Sequence, residues 1–165
     1  MKTTTANYIL LIIKSLIVFL FVYFLYRGIS SIIEHFELTG DYNGISSVFY
    51  LITRFSYLHA SIFLLIPMAG IFLKKKVGWV LMTSYFYFVL TNAIFYFISD
   101  ISTDFNYILA TFIIVSVIAL IVIAMNKKEI SHQKYQILPN TLLLHNIVAF
   151  VIGVCMTIFL VYFRS

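Results

Sequence analysis

Residues 8–26 read YILLIIKSLIVFLFVYFLY. Fourteen of these nineteen residues are Leu, Ile, Phe or Val, and a helix needs about 20 mostly apolar residues to cross a bilayer. At about −0.3 to −0.6 kcal/mol each, they supply roughly −4 to −8 kcal/mol toward insertion, against a cost of about 3 kcal/mol for Lys14. The stretch is therefore predicted to insert, with the Lys14 ammonium reaching toward the nearer headgroups. Because it is too long for the apolar core of a signal peptide, we expect it to remain as the first span.

The composition of the whole chain agrees with this prediction. Of its 165 residues, 62% are apolar and 10% are charged, whereas soluble domains carry about 45–50% and about 25%. A chain of this length could not bury so much apolar surface around one water-facing core. We therefore exclude a soluble enzyme, a disordered regulator and a disulfide scaffold.

Five segments are long and apolar enough to be membrane spans. We predict an all-α fold, a bundle of five transmembrane helices that forms a single integral membrane domain over residues 1–165. The predicted spans are residues 7–26, 47–73, 77–98, 106–125 and 141–163.

The positive charges between the spans predict the orientation. Cytoplasmic connections of membrane proteins carry an excess of Lys and Arg. With the N-terminus in the cytoplasm, seven cations lie on that side, and only Arg27 and Arg164 lie on the other. The seven are Lys2, Lys74, Lys75, Lys76, Lys127, Lys128 and Lys134. We predict a multi-pass protein of a prokaryotic inner (plasma) membrane, with the N-terminus inside and the C-terminus outside.

The connection after the first span has a pattern of its own. Ile29, Ile32, Ile33 and Phe36 are spaced as one face of a helix, and polar residues fill the other face. The pattern predicts a short amphipathic helix on the outer membrane surface. A lid over an outward pore mouth is the functional alternative.

Polar residues inside the spans are candidates for function, because the bilayer disfavours them. They serve either as packing contacts between helices or as the lining of a pore, in which Arg54 would attract anions near the outer mouth. Asn92 is the best candidate for a hydrogen bond between helices. A neighbouring stripe in the third span is formed by Ser84, Tyr87 and Thr91. The pore or polar-stripe candidates are Arg54, Tyr57, His59, Ser61, Tyr85, Asn92 and Tyr96.

The fifth span carries a packing signal. Ala149, Gly153 and Thr157 repeat every four residues, which allows a second helix to approach closely. The partner of this ridge is either another span or another copy of the chain. His59 and His145 differ in predicted depth in the membrane, so we expect no haem between them. Because Cys155 is the single cysteine, a multi-cysteine metal site is excluded.

The predicted spans contain no Asp or Glu, and the chain has no motif of a hydrolase, metalloprotease or nucleotide-binding protein. We therefore predict a non-enzymatic membrane protein without cofactor that acts by helix association. It would be a homo-oligomeric, channel-like pore or an accessory subunit of a larger system, with defence or immunity as one setting. Its partners would be the lipid bilayer and itself or another membrane protein, and no nucleic acid is expected.

Two other classes stay open at this point. A small transporter or ligand-binding membrane subunit would need a polar cavity near mid-membrane, formed by Arg54, Tyr57, His59 and Asn92. An intramembrane enzyme has the least support, because no orienting group accompanies either candidate histidine.

Overall fold

The computed structural model describes residues 2–39, 56–73, 75–99 and 105–164. Within these ranges the regular elements are all helical, which confirms the all-α prediction. The helices are α1 (Lys2–Thr39), α2 (Ser56–Phe72), α3 (Lys76–Ser99), α4 (Phe105–Asn126), α5 (Lys128–Ser131), a 3-10 turn (Pro139–Thr141) and α6 (Leu142–Arg164).

Among the described residues, four helices are long and apolar enough to cross a membrane, namely α3, α4, the segment Thr5–Glu37 of α1, and α6 with the turn before it. The length and the apolar composition of these helices therefore identify the chain as a membrane protein. Helices α3, α4 and α6 begin and end within a residue of the predicted spans. Helix α2 has 17 residues, and the first part of the predicted second span, residues 47–55, lies outside the described residues.

Helix α1 continues without a break through residues 27–39, so the prediction of a separate surface helix after the first span is wrong. The segment contains no proline, and one glycine inside a helix costs only about 1 kcal/mol relative to alanine. That glycine, Gly28, is buried against α2, and a Cβ atom there would lie 2.6 Å from Leu58 Cδ2. The 38 residues of α1 span about 57 Å, which exceeds the hydrocarbon core of a bilayer, about 30 Å.

Helix α3 is the centre of the bundle. It packs against α2, α4 and α6, while α1 packs mainly on α2. Its side chains Trp79, Met82 and Phe86 are almost fully buried. In α4, whose 22 residues are all described, only Met125 is buried, so this helix presents most of its apolar surface outward, as its aliphatic sequence predicts.

The connections that carry lysine lie at one end of the bundle. Lys14 Nζ in α1 donates a hydrogen bond to the Ile71 carbonyl at the end of α2 (3.4 Å). The Trp79 indole N–H at the start of α3 donates to the Met125 carbonyl at the end of α4 (2.9 Å). Both carbonyls belong to the last turn of a helix, where no intrahelical donor is available.

We call this end the basic end. Its exposed cations are Lys75, Lys76, Lys127, Lys128 and Lys134. Lys74 and the side chains of Lys2 and Arg164 lie outside the described part of the chain.

The connection from α4 to α6 folds back under the basic end. Ile130, Tyr135 and Ile137 are at most 2% exposed, and the Tyr135 hydroxyl donates to Met82 Sδ in α3 (3.3 Å). Burial raises the pKa of the Tyr135 phenol to about 12, so the phenol stays neutral past pH 10, where a solvated tyrosine ionises. Gln136 closes the turn with φ of 58°, a left-handed conformation that is uncommon for a residue other than glycine.

Substitution of Trp79 tests whether its hydrogen bond at the basic end stabilises the fold. The Trp79→Phe substitution leaves the buried Met125 carbonyl without its donor, so we expect the free energy of unfolding to fall by about 1–3 kcal/mol. Reversible denaturation in detergent, followed by circular dichroism, measures this loss. Val77→Ala is the matched control, because Val77 lies two residues away and is exposed; its effect should stay within about 0.5 kcal/mol. Equal losses for both variants would show that the indole hydrogen bond does not stabilise the fold.

Candidate functional site

The ridge of small residues on α6 packs against α3 of the same chain. Ala149 is fully buried, and Thr157 is 6% exposed. A Cβ atom on Gly153 would lie 2.7 Å from the Phe88 nitrogen and 2.9 Å from the Ser84 carbonyl oxygen. Only glycine allows the two backbones to approach so closely. The sequence left two possible partners for this ridge, another span or another copy of the chain. In the structure, the partner of the ridge is another span of the same chain.

The opposing face on α3 is the stripe of Ser84, Tyr87 and Thr91. The Thr91 and Thr157 hydroxyl oxygens lie 2.7 Å apart. The Thr91 hydroxyl also lies 3.0 Å from the Tyr87 carbonyl, and the Thr157 hydroxyl lies 3.2 Å from the Gly153 carbonyl. Because backbone carbonyls are the alternative partners of both hydroxyls, neither is left unsatisfied in the apolar interior.

A second polar contact joins three helices near the basic end. Asn146 Nδ2 in α6 donates to Asn126 Oδ1 at the end of α4 (2.6 Å), and Asn126 Nδ2 lies 3.2 Å from Asn146 Oδ1. The Tyr87 hydroxyl in α3 donates to the same Asn146 oxygen (2.8 Å). We call these three residues the Asn–Tyr cluster.

The backbone satisfies the remaining donors of the Asn–Tyr cluster. Asn126 Nδ2 donates to the Val122 carbonyl (2.9 Å) and Asn146 Nδ2 donates to the Leu142 carbonyl (3.1 Å). Sequence reasoning missed the cluster, since the predicted fourth span ends at residue 125, one residue before Asn126, and Asn146 was not among the predicted candidates. The available signal was an asparagine at the end of one span and another in the second turn of the next.

The structure places the described polar-stripe candidates in separate surroundings. Ser61 is 4% exposed and its hydroxyl donates to the Leu58 carbonyl of its own helix (2.8 Å). Tyr85 is 5% exposed and packs against aromatic rings of its own helix. His59 and Tyr96 are partly exposed.

The hydrogen bond between helices that the sequence predicted for Asn92 is not made by its carbonyl oxygen within the described residues. This oxygen, Asn92 Oδ1, is buried and has no hydrogen-bond partner in the described part of the chain. The hydrogen bonds between helices lie instead at the Asn–Tyr cluster and at the pair Thr91–Thr157. Arg54 and the side chain of Tyr57 lie outside the described residues.

Three cavities are lined by described residues, and none of these candidates belongs to their linings. One of about 230 Å³ is an apolar groove between α3 and α4, far from the basic end. A second, of about 110 Å³, lies beside His132 at the basic end. The third, of about 250 Å³, lies between the start of α1 and α5. Its lining residues are Thr5, Ala6, Ile9, Lys127, Glu129 and Ile130.

Side chains that could hold a metal ion are not gathered at any of these places. The described residues contain no group of three or more His, Cys, Asp or Glu with the required spacing. His145, one of the two histidines considered from sequence, has its Nδ1 2.7 Å from the Thr141 carbonyl of its own helix end. No protein-family model, curated protein or solved structure matches the chain.

The Asn–Tyr cluster makes a quantitative prediction. Asn146→Leu removes the amide from the cluster and leaves Asn126 and the Tyr87 hydroxyl without their partner, so we expect a loss of about 0.6–2 kcal/mol in the free energy of unfolding. Asn126→Leu should cost a similar amount. Because the two residues act on each other, the double variant should cost clearly less than the sum of the single losses.

Asn140→Leu is the control, since Asn140 is exposed in the turn before α6 and should change stability by less than about 0.5 kcal/mol. Additive losses at Asn126 and Asn146 would contradict direct pairing of the two amides.

Proposed function

We propose that the chain is a non-enzymatic membrane subunit that acts by association of its helices with another membrane protein. One observation carries the proposal: the hydrogen bonds between helices at the Asn–Tyr cluster and at Thr91–Thr157 are made within this chain. Tyr87 and Asn126 are each bonded to Asn146, and Thr91 is bonded to Thr157. Such residues stabilise a closed helical bundle, and they are not free to bind a solute or to face water in a pore.

The outward surfaces are suited to contact with lipid and with other helices. In α1, Ile12 and Phe19 are each 67% exposed; in α4, Phe112 is 69% and Leu120 is 65% exposed. The small-residue ridge of α6 is occupied by α3. A partner would therefore pack against the large apolar side chains of α1 and α4. Exposure of these side chains to lipid costs a membrane subunit little free energy.

The proposal includes five spans, with the basic end in the cytoplasm of a prokaryotic cell. It is supported by the five exposed lysines at that end and by the excess of Lys and Arg in cytoplasmic connections. The 17 residues of α2 measure about 26 Å, close to the thickness of the hydrocarbon core, about 30 Å, and the first part of the predicted second span lies outside the described residues.

Cysteine labelling tests this topology. In a Cys155→Ser background, we expect Lys134→Cys to react with a membrane-impermeant maleimide only after the cells are opened, because the cation-rich end faces the cytoplasm. Thr103→Cys, in the connection between α3 and α4, should react in intact cells. Labelling of Lys134→Cys in intact cells would contradict the N-in orientation, and labelling of both from one side would contradict the crossing of α4.

A small transporter or ligand-binding subunit is the second candidate. One observation favours it: the buried Asn92 oxygen has no partner in the part of the chain that the structure describes. An unpaired buried carbonyl gains free energy when a ligand donates to it. A homo-oligomeric pore lined by the polar-stripe candidates is the third. It has less support, since the candidates Ser61 and Tyr85 are buried inside the chain, at 4% and 5% exposure.

The size and permeability of the protein separate the three candidates. In nanodiscs, the purified chain is expected to have the mass of a monomer. Reconstituted into liposomes, it is expected to leave them impermeable to ions. Extracted from its native membrane with a styrene–maleic acid polymer, it should occur in a larger particle with a second polypeptide. A homo-oligomer that conducts ions would replace this proposal with the pore, and solute uptake lost in Asn92→Leu but kept in Asn140→Leu would replace it with the transporter.

A further inference from the structure

The cavity between α1 and α5 has two opposite charges at its rim and an apolar floor. Lys127 is exposed and Glu129 is partly buried, and both line the cavity together with the exposed Thr5. Ala6 and Ile130 form the floor and are at most 5% exposed. We propose that this cavity binds the headgroup of a phospholipid with a primary ammonium, of the phosphatidylethanolamine class.

The charges of the site select this headgroup. Within the described residues, neither the Lys127 ammonium nor the Glu129 carboxylate has an ion-pair or hydrogen-bond partner. A lysine offers three N–H donors to a phosphate, and a carboxylate offers acceptors to an ammonium. The ethanolamine headgroup carries both complementary charges, so one molecule satisfies both residues.

The same pair discriminates against the other common headgroups. Phosphatidylglycerol has the same phosphate but no ammonium. The Glu129 carboxylate then faces only the like charge of the phosphate and repels this headgroup. The quaternary ammonium of phosphatidylcholine has no N–H and therefore cannot donate to the carboxylate. A site with lysine alone would instead favour anionic lipids in general.

The depth of the cavity suits a headgroup. Its α1 residues, Thr5 to Ile9, lie where the apolar run of the first span begins. Tyr8, in the same turn, is 64% exposed, and tyrosine side chains concentrate at the level of the headgroups. The cavity has a volume of about 250 Å³. The proposal needs the basic end at a membrane surface, on either side, and it is independent of the proposed partner.

Native mass spectrometry tests the lipid specificity. The full chain is released from detergent micelles that contain phosphatidylethanolamine, phosphatidylglycerol and phosphatidylcholine in equal amounts and with the same acyl chains. We expect one retained phosphatidylethanolamine, at about tenfold higher occupancy than either competitor, which is the ratio that about 1.4 kcal/mol of selective binding produces. Glu129→Gln should reduce this preference to about twofold or less, because an amide has no charge for the ammonium.

Two further variants separate selectivity from general binding. Thr5→Trp fills the cavity without changing a charge, so it should lower the retention of all three lipids. Lys134→Gln removes a lysine at the same end that does not line the cavity, and it should leave the preference unchanged. Circular dichroism of each variant confirms that it folds.

Equal retention of the three lipids by the wild-type chain would overturn the proposal. So would a preference for phosphatidylglycerol, or a phosphatidylethanolamine preference that survives Glu129→Gln. None of these results depends on whether the chain has a protein partner, so the membrane-subunit proposal stands or falls separately.

Discussion

The close approach of α3 and α6 at Gly153 is the contact on which the rest of the bundle depends. A lipid environment gives apolar helices no hydrophobic reason to prefer each other over acyl chains. Association must then come from van der Waals packing at short distance and from hydrogen bonds that lipid cannot offer. Gly153 provides the first, because a Cβ there would meet the backbone of α3 at 2.7 Å. Thr157, one turn later, provides the second by its bond to Thr91.

The Asn–Tyr cluster extends this contact to α4. Helix α4 is mostly aliphatic, and of its 22 residues only Met125 is buried. Its last residue, Asn126, is bonded to Asn146 on α6, and Asn146 accepts from Tyr87 on α3. The indole of Trp79 adds a bond to the carbonyl of Met125. Helix α4 is therefore attached by hydrogen bonds at the basic end, while its other end meets α3 across an apolar groove.

The basic end has an exposed layer of positive charge and a buried layer beneath it. Its exposed surface carries the lysines on which the predicted orientation rests, and beneath them Ile130, Tyr135 and Ile137 form a small buried layer. This layer orders the connection between α4 and α6, and so the chain keeps a defined cavity against α1. The lipid-binding proposal depends on that order, because a flexible connection would not hold Lys127 and Glu129 at one site.

The apolar runs by themselves determined the helices and their membrane character, because the energy of insertion depends on the composition of each segment and hardly on its neighbours. The spacing of Ala149, Gly153 and Thr157 also identified a packing ridge, since the helical repeat places them on one face. Only the tertiary structure decided what that ridge contacts and that α1 runs unbroken past Gly28. It alone also showed that Trp79 is fully buried, that Asn126 pairs with Asn146, and that the Asn92 oxygen has no partner among the described residues. These outcomes depend on which faces of different helices meet, and the pattern of one helix contains no information about the rotation of the next.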